Sequence, residues 1–152
     1  MLKSNRRMLV LLVMSNFLLY AGFYIWQTMF NNFAVEELGV GPASIGLIQA
    51  LRELPGLLGF LLGFLALLLS EVRIMALSVA LLGAGLFMTG QSQAIPFLLI
   101  STLVMSVGFH FFYPCSSSVV LMALEKQHAP RFLGQLASSG AVASIIATGG
   151  VC

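Results

Sequence analysis

Five apolar runs, each about long enough to cross a bilayer, dominate this chain and leave it few ways to fold. They cover 8–30, 44–69, 74–89, 96–124 and 132–151. A hydrocarbon core about 30 Å thick is crossed by about 20 mostly apolar residues in a helix. In lipid every backbone N–H and C=O also needs an internal partner. None of the runs alternates apolar and polar residues, so they read as helices rather than barrel strands. Composition agrees, with 59% of residues hydrophobic and 8% charged, where a soluble domain carries about 25% charged residues. The expected fold class is an all-α integral membrane protein, a polytopic helix bundle forming a single transmembrane domain over 1–152. The first run is too long for the core of a signal peptide and leads into Asn31-Asn32 and Glu36-Glu37 instead of a small-residue cleavage site, so it stays as an anchor.

The basic residues are sorted by side. Lys3, Arg6 and Arg7 precede the first run, Arg73 lies between the second and third, and Lys126 and Arg131 lie between the fourth and fifth. The other two connections, 31–43 and 90–95, hold no Lys or Arg, and the first carries Glu36 and Glu37. Excess Lys and Arg in short loops marks the cytoplasmic side, so the N-terminus is expected in the cytoplasm. The membrane is expected to be the plasma membrane, which is the inner membrane in a Gram-negative bacterium. Five crossings then put the C-terminus outside, where the chain stops at Cys152 without a polar tail. That ending is expected of an incomplete chain. Cys115 and Cys152 lie too far apart in sequence to suggest a disulfide framework.

One basic residue breaks the sorting. Arg52 sits beside Glu53 inside the second run. A charge at the bilayer centre costs about 2.5–3.5 kcal/mol on insertion scales, so both must face protein or water. Successive helical residues point about 100° apart, so the two straddle one face. Gln49, Arg52, Glu53, Gly56, Phe60 and Gly63 then form a polar and small-residue stripe, with Pro55 breaking the backbone hydrogen bonding near Leu51. The first run has a matching stripe of Asn16, Tyr20, Tyr24, Gln27 and Asn31, and the fourth has Ser106, His110, Tyr113 and Ser117. The third run offers only Ser78, with Gly83 and Gly85 for packing. Runs one, two and four are therefore expected to surround a cavity, with the third at the periphery. Gly59 and Gly63 read as helix-packing positions, and the small residues of the fifth run, from Gly134 through Gly140 to Thr148, imply a close partner helix.

Intramembrane ionisable residues mark solute or ion pathways by default. Arg52, Glu53, Gln49, Asn16, Tyr20, Gln27, His110 and Tyr113 are accordingly the expected pathway or coupling residues. Arg52 stays charged and can only hold an anion. Glu53 can take up a proton, which suits a coupling or gating role. The alternative is a structural ion pair that locks two helices. An enzyme is not expected, because Ser116–Ser118 and His110 come without a Gly-x-Ser-x-Gly elbow. His110, Cys115 and His128 lack metal-ligand spacing. No cofactor and no nucleic-acid partner is expected.

The stretch SVGFHFFYPCSSSVVLMALEKQHAPRFLGQLASSG, with Gly108, Pro114, Pro130, Arg131, Gly134 and Gly140, resembles the region of helices 4 and 5 in a major facilitator superfamily transporter. The five-helix pattern with an inside N-terminus resembles the N-terminal half of such a protein. Departures are specific. Where that family carries an aspartate and a glycine between helices 2 and 3, this chain has Leu67 and Ser70, and Val104 stands in place of a helix 4 arginine. Ile145-Ile146 replaces the Gly-Pro of the antiporter pattern. The resemblance implies secondary-active transport of a small solute by alternating access, with a coupling ion, across the lipid bilayer. Members have twelve helices, so a second half or another subunit would complete the path. The rival expectation is a non-transporting membrane subunit or sensor, or a vestigial transporter fragment.

Overall fold

The computed structural model describes residues 3–150. Positions 151 and 152, where the fifth run is expected to end, lie outside the described residues. Among the described residues the chain is helical throughout its regular structure and contains no strand. The helices are α1 (Lys3–Glu36), α2 (Pro42–Arg52), α3 (Leu54–Leu57), α4 (Leu61–Leu68), α5 (Glu71–Gly90), α6 (Ile95–Ala123) and α7 (Ala129–Gly149), with a 3-10 turn at Leu58–Phe60 joining α3 to α4. They make five spans long and apolar enough to cross a membrane: Arg6–Glu36, Pro42–Leu68, Glu71–Gly90, Ile95–Ala123 and Ala129–Gly149.

Local chemistry sets the helix ends. Pro42, Pro55, Pro96 and Pro130 each stand in the first turn of a helix, where a missing N–H costs nothing and the fixed φ favours helix entry. The turn that follows the first helix is closed by Gly39, whose φ of 62° places it in the left-handed region. There the Gly39 N–H donates to Val35 O and the Val40 N–H to Ala34 O, satisfying carbonyls at the helix end. This helix runs beyond the expected 8–30 at both ends. Asn31, Asn32 and Glu36 lie on its last turns, since a polar residue at a membrane surface has no reason to interrupt a helix.

The core is built around α6. It packs along the length of α5 and also touches α1, α2, α3 and α7, while α7 packs mainly on α1. Two glycines seat α5 against α6. A side chain on Gly85 would fall on the Met105 backbone, and one on Gly108 would fall on the backbone of Ser78 and Leu82. Gly140 lets α7 approach α1, where a Cβ would lie 3.2 Å from the Tyr20 ring. The partner helix expected for the small residues of the fifth run is therefore α1, although Gly134, Ser138 and Ala141 are exposed.

Three expectations about packing change. The third span is not peripheral: 33% of its most apolar window is buried, against 6% for the second span. Gly85 gives α5 a backbone-close seat on α6, so this helix needs no polar stripe to be central. Gly83, two residues away, has open space where its side chain would be. Gly59 and Gly63 likewise meet no neighbour within 4 Å among the described residues, so they do not serve packing inside this chain. The break expected at Pro55 is present, so the second span is not one continuous helix. Pro55 has no N–H to donate, and the Gly56 N–H bonds to Glu53 O rather than to the α-helical acceptor Arg52.

Candidate functional site

The break at Pro55 puts the charged pair at an irregular joint. Arg52 ends α2, Glu53 lies between α2 and α3, and Leu54 begins α3. The Arg52 carbonyl, one residue short of its usual helical donor, accepts the hydroxyl of Ser106 from α6. Ten residues separate Arg52 from Pro42 and nine separate Gln27 from Glu36. At 1.5 Å per residue both lie about 14–15 Å from the adjoining helix ends.

Side chains from three spans converge there. Arg52 Nη2 and Nε donate to Glu53 Oε1 at 2.6 and 3.1 Å. Arg52 Nη1 donates to Gln27 Oε1 of α1 at 3.2 Å. Glu53 Oε2 faces His110 Nε2 of α6 at 3.4 Å. The guanidinium also lies over the rings of Phe23 and Trp26, 5.6 and 5.7 Å from their centroids, within cation–π range. Arg52 is thus enclosed, its side chain 14% exposed, while Glu53 is 51% exposed and His110 24%. The carboxylate stands between a held cation and an open face.

That face continues along α1 and α6. A cavity of about 400 Å³ beside Gly56 and Gly59 is walled by Tyr20, Phe109, His110 and Tyr113. A second, of about 320 Å³, shares Tyr20 and Tyr113 and reaches Asn16, Ser116 and Ser117. Gly56 is what admits the His110 ring, which a Cβ there would meet at 2.9 Å. The walls are aromatic: Phe23 stacks on Phe109 with centroids 3.9 Å apart, and Tyr20 meets Phe109 edge-on at 5.7 Å.

The eight expected pathway residues fall into three groups. Arg52, Glu53, Gln27 and His110 form the charged cluster, and Tyr20 and Tyr113 line the adjoining cavities. Asn16 borders the second cavity but is 3% exposed, and its Nδ2 donates at 2.8 Å to both Leu136 O and Ser139 Oγ of α7. It ties α1 to α7. Gln49 lies one turn before Arg52, half-buried, and makes no hydrogen bond to the cluster.

Two features escaped sequence reasoning. The aromatic platform under Arg52 comes from Phe23 and Trp26, three residues apart on α1 just before Gln27; attention to polar residues alone passes over them. The other is a buried hydroxyl chain. Trp26 Nε1 donates to Thr89 Oγ1 at 3.3 Å, and Thr89 Oγ1 donates at 2.9 Å to Gly85 O and lies 3.1 Å from Ser101 Oγ. It links α1, α5 and α6, and no spacing within one helix announces it. Among the described residues no group of three His, Cys, Asp or Glu side chains is placed to hold a metal ion.

Compared with models of known protein families, with curated proteins and with solved structures, the chain has no match.

Proposed function

We propose that this chain is part of a secondary-active transporter that moves a small solute by alternating access, built like the N-terminal portion of a major facilitator superfamily transporter. Its helices lie in the plasma membrane, the inner membrane in a Gram-negative bacterium, with the N-terminus in the cytoplasm. A second half or another subunit faces the polar groove and completes the path. Glu53 carries the coupling proton.

One observation carries this reading. Arg52, Glu53, His110 and Gln27 meet within their spans, towards the connection between the first two, on a side of the bundle that is half open. Arg52 and Glu53 are neighbours in one span, so their ion pair by itself joins no two helices. Here the partner of the enclosed arginine is the exposed group. Breaks in helices within the bilayer are where transporters hold solutes and coupling ions.

The test is uptake of a panel of labelled amino acids, sugars, organic acids and nucleosides by cells expressing this chain together with the half or subunit that completes it. At least one solute accumulates above control cells. Arg52→Gln and Glu53→Gln each lower that uptake more than they lower membrane protein level, as do His110→Ala and Tyr113→Phe. The double variant of Arg52 and Glu53 recovers protein level but not uptake. Normal transport by the double variant would make the pair a structural lock, and no accumulation of any solute would remove the transport reading.

A further inference from the structure

We infer that the groove binds a small organic anion with an aromatic body, and takes it up together with one proton. The inference rests on reading the groove as a solute path and names the class of solute.

The anion follows from how Arg52 is held. A guanidinium presents paired N–H groups that match the two oxygens of a carboxylate. Glu53 meets Nε and Nη2 with one oxygen only, Oε1, and turns Oε2 towards His110. It does not offer both to the guanidinium. A free carboxylate entering from the open side can. Glu53 is also the movable partner, 51% exposed against 14% for Arg52, whereas Arg52 is fixed by Gln27 and by the rings of Phe23 and Trp26. The site is therefore a held cation with a replaceable counterion.

The proton follows from the exchange. Once a solute carboxylate displaces Glu53, two negative groups stand beside one guanidinium, and a proton on the displaced carboxylate removes the repulsion between them. His110 Nε2, 3.4 Å from Oε2, is the nearest group able to pass one on. The other titratable groups nearby are the phenols of Tyr20 and Tyr113, while α7 brings only Leu133, Leu136 and Ala137 to the adjoining cavity. One anion and one proton enter together, so the loaded site gains no net charge. Both leave together on the other side, and Glu53 returns to Arg52.

The aromatic body follows from the cavity. Neither Arg52 nor Glu53 lines it, but His110, which faces Glu53, does, and its 400 Å³ are otherwise bounded mostly by the rings of Tyr20, Phe109, Phe112 and Tyr113. That shape suits a flat ring stacked on aromatic walls.

Trp26 is the only tryptophan in the chain, and its ring lies against Arg52, so its fluorescence reports on the site without any transport. The probe is benzoate, titrated into the purified full chain in lipid nanodiscs, with benzylamine and benzyl alcohol as controls. Benzoate should change Trp26 emission saturably, and the controls should not. Uptake of one proton per anion makes affinity rise as pH falls, by up to about tenfold per pH unit, so binding should be clearly tighter at pH 6 than at pH 7.5. Arg52→Gln should weaken binding by about tenfold or more, the scale of a lost charge-assisted hydrogen bond, and Arg52→Lys should recover part of it. Glu53→Gln, which resembles the protonated carboxyl, should bind equally at both pH values. Each variant is first checked for unchanged helical content, so that loss of fold is not read as loss of binding. Equal responses to benzoate and benzylamine, an Arg52→Gln protein that titrates like the parent, or pH-independent binding by the parent would each overturn the inference. Uptake of other solutes with no Trp26 response to benzoate would overturn this inference and leave the transport reading standing. A Trp26 response with no uptake of any solute would do the reverse.

Discussion

Gly83 and Gly85 lie two residues apart on α5, and the same substitution should act on them with opposite sign. At Gly85 a Cβ would lie 2.6 Å from Met105 Cα of α6, where ordinary contact begins at 3.4 Å. The obstacle is backbone, which cannot rotate away, so α5 and α6 must part by nearly an ångström along their shared length. A gap of that size forfeits a quarter to a half of the dispersion energy of each contact across it, and overpacking of this kind costs about 1–3 kcal/mol. At Gly83 a Cβ meets nothing within 4 Å, and Gly→Ala inside a helix is favourable by about 0.5–1 kcal/mol. Thermal unfolding of the chain in nanodiscs, followed by circular dichroism, should therefore show Gly85→Ala melting below the parent and Gly83→Ala at or above it. The Thr89 hydroxyl bonds to Gly85 O, so the Gly85 variant should also disturb Trp26 emission through the hydroxyl chain. Equal melting of the two variants would refute the close seat of α5 on α6.

Two further outcomes test other parts of the structure. Asn16→Ala should destabilise the chain by about 1–2 kcal/mol, since it removes two interhelical hydrogen bonds of a kind worth about 0.6 kcal/mol each in membranes and leaves a gap between α1 and α7. Chemical denaturation in mixed micelles measures this, and parent-like stability would mean that α7 is held without Asn16. For orientation, a cysteine at position 36 should react with an impermeant maleimide in intact cells and a cysteine at position 73 should not. Labelling at 73 would reverse the proposed topology.

The spans were legible because hydropathy acts on a whole helix at once. Every one of the five runs corresponds to an apolar helical span, including Pro42–Leu68, in spite of its joint. Ends moved by up to six residues, because polar residues such as Asn31 and Glu36 extend a helix into water as readily as they end it. The meeting of Arg52, Glu53, Gln27 and His110 follows from facing stripes, which sequence spacing can place on a helix surface. Which glycine carries a contact was not legible. Gly83 and Gly85 have the same residue type and nearly the same position, and only the neighbouring helix separates their roles. The third span looked peripheral because polarity was the only guide to what lies inside, whereas in a membrane small residues drive helices together as effectively. Asn16 was placed by its side chain's polarity, but its two bonds go to α7, which comes 120 residues later.

Exposure to water at Glu53 is the most direct measure of the whole account. Leu67 is 82% exposed and the Glu53 side chain 51%, so accessibility within the isolated chain ranks the leucine higher. A polar path through the membrane requires the opposite order of reactivity, because Leu67 then faces lipid and Glu53 faces water. In a background lacking Cys115 and Cys152, Glu53→Cys and Tyr113→Cys should be modified by a membrane-impermeant thiol reagent while Leu67→Cys stays unmodified. If Glu53→Cys is as inert as Leu67→Cys in the correctly inserted protein, the charged pair lies outside any water-filled path and the account is contradicted.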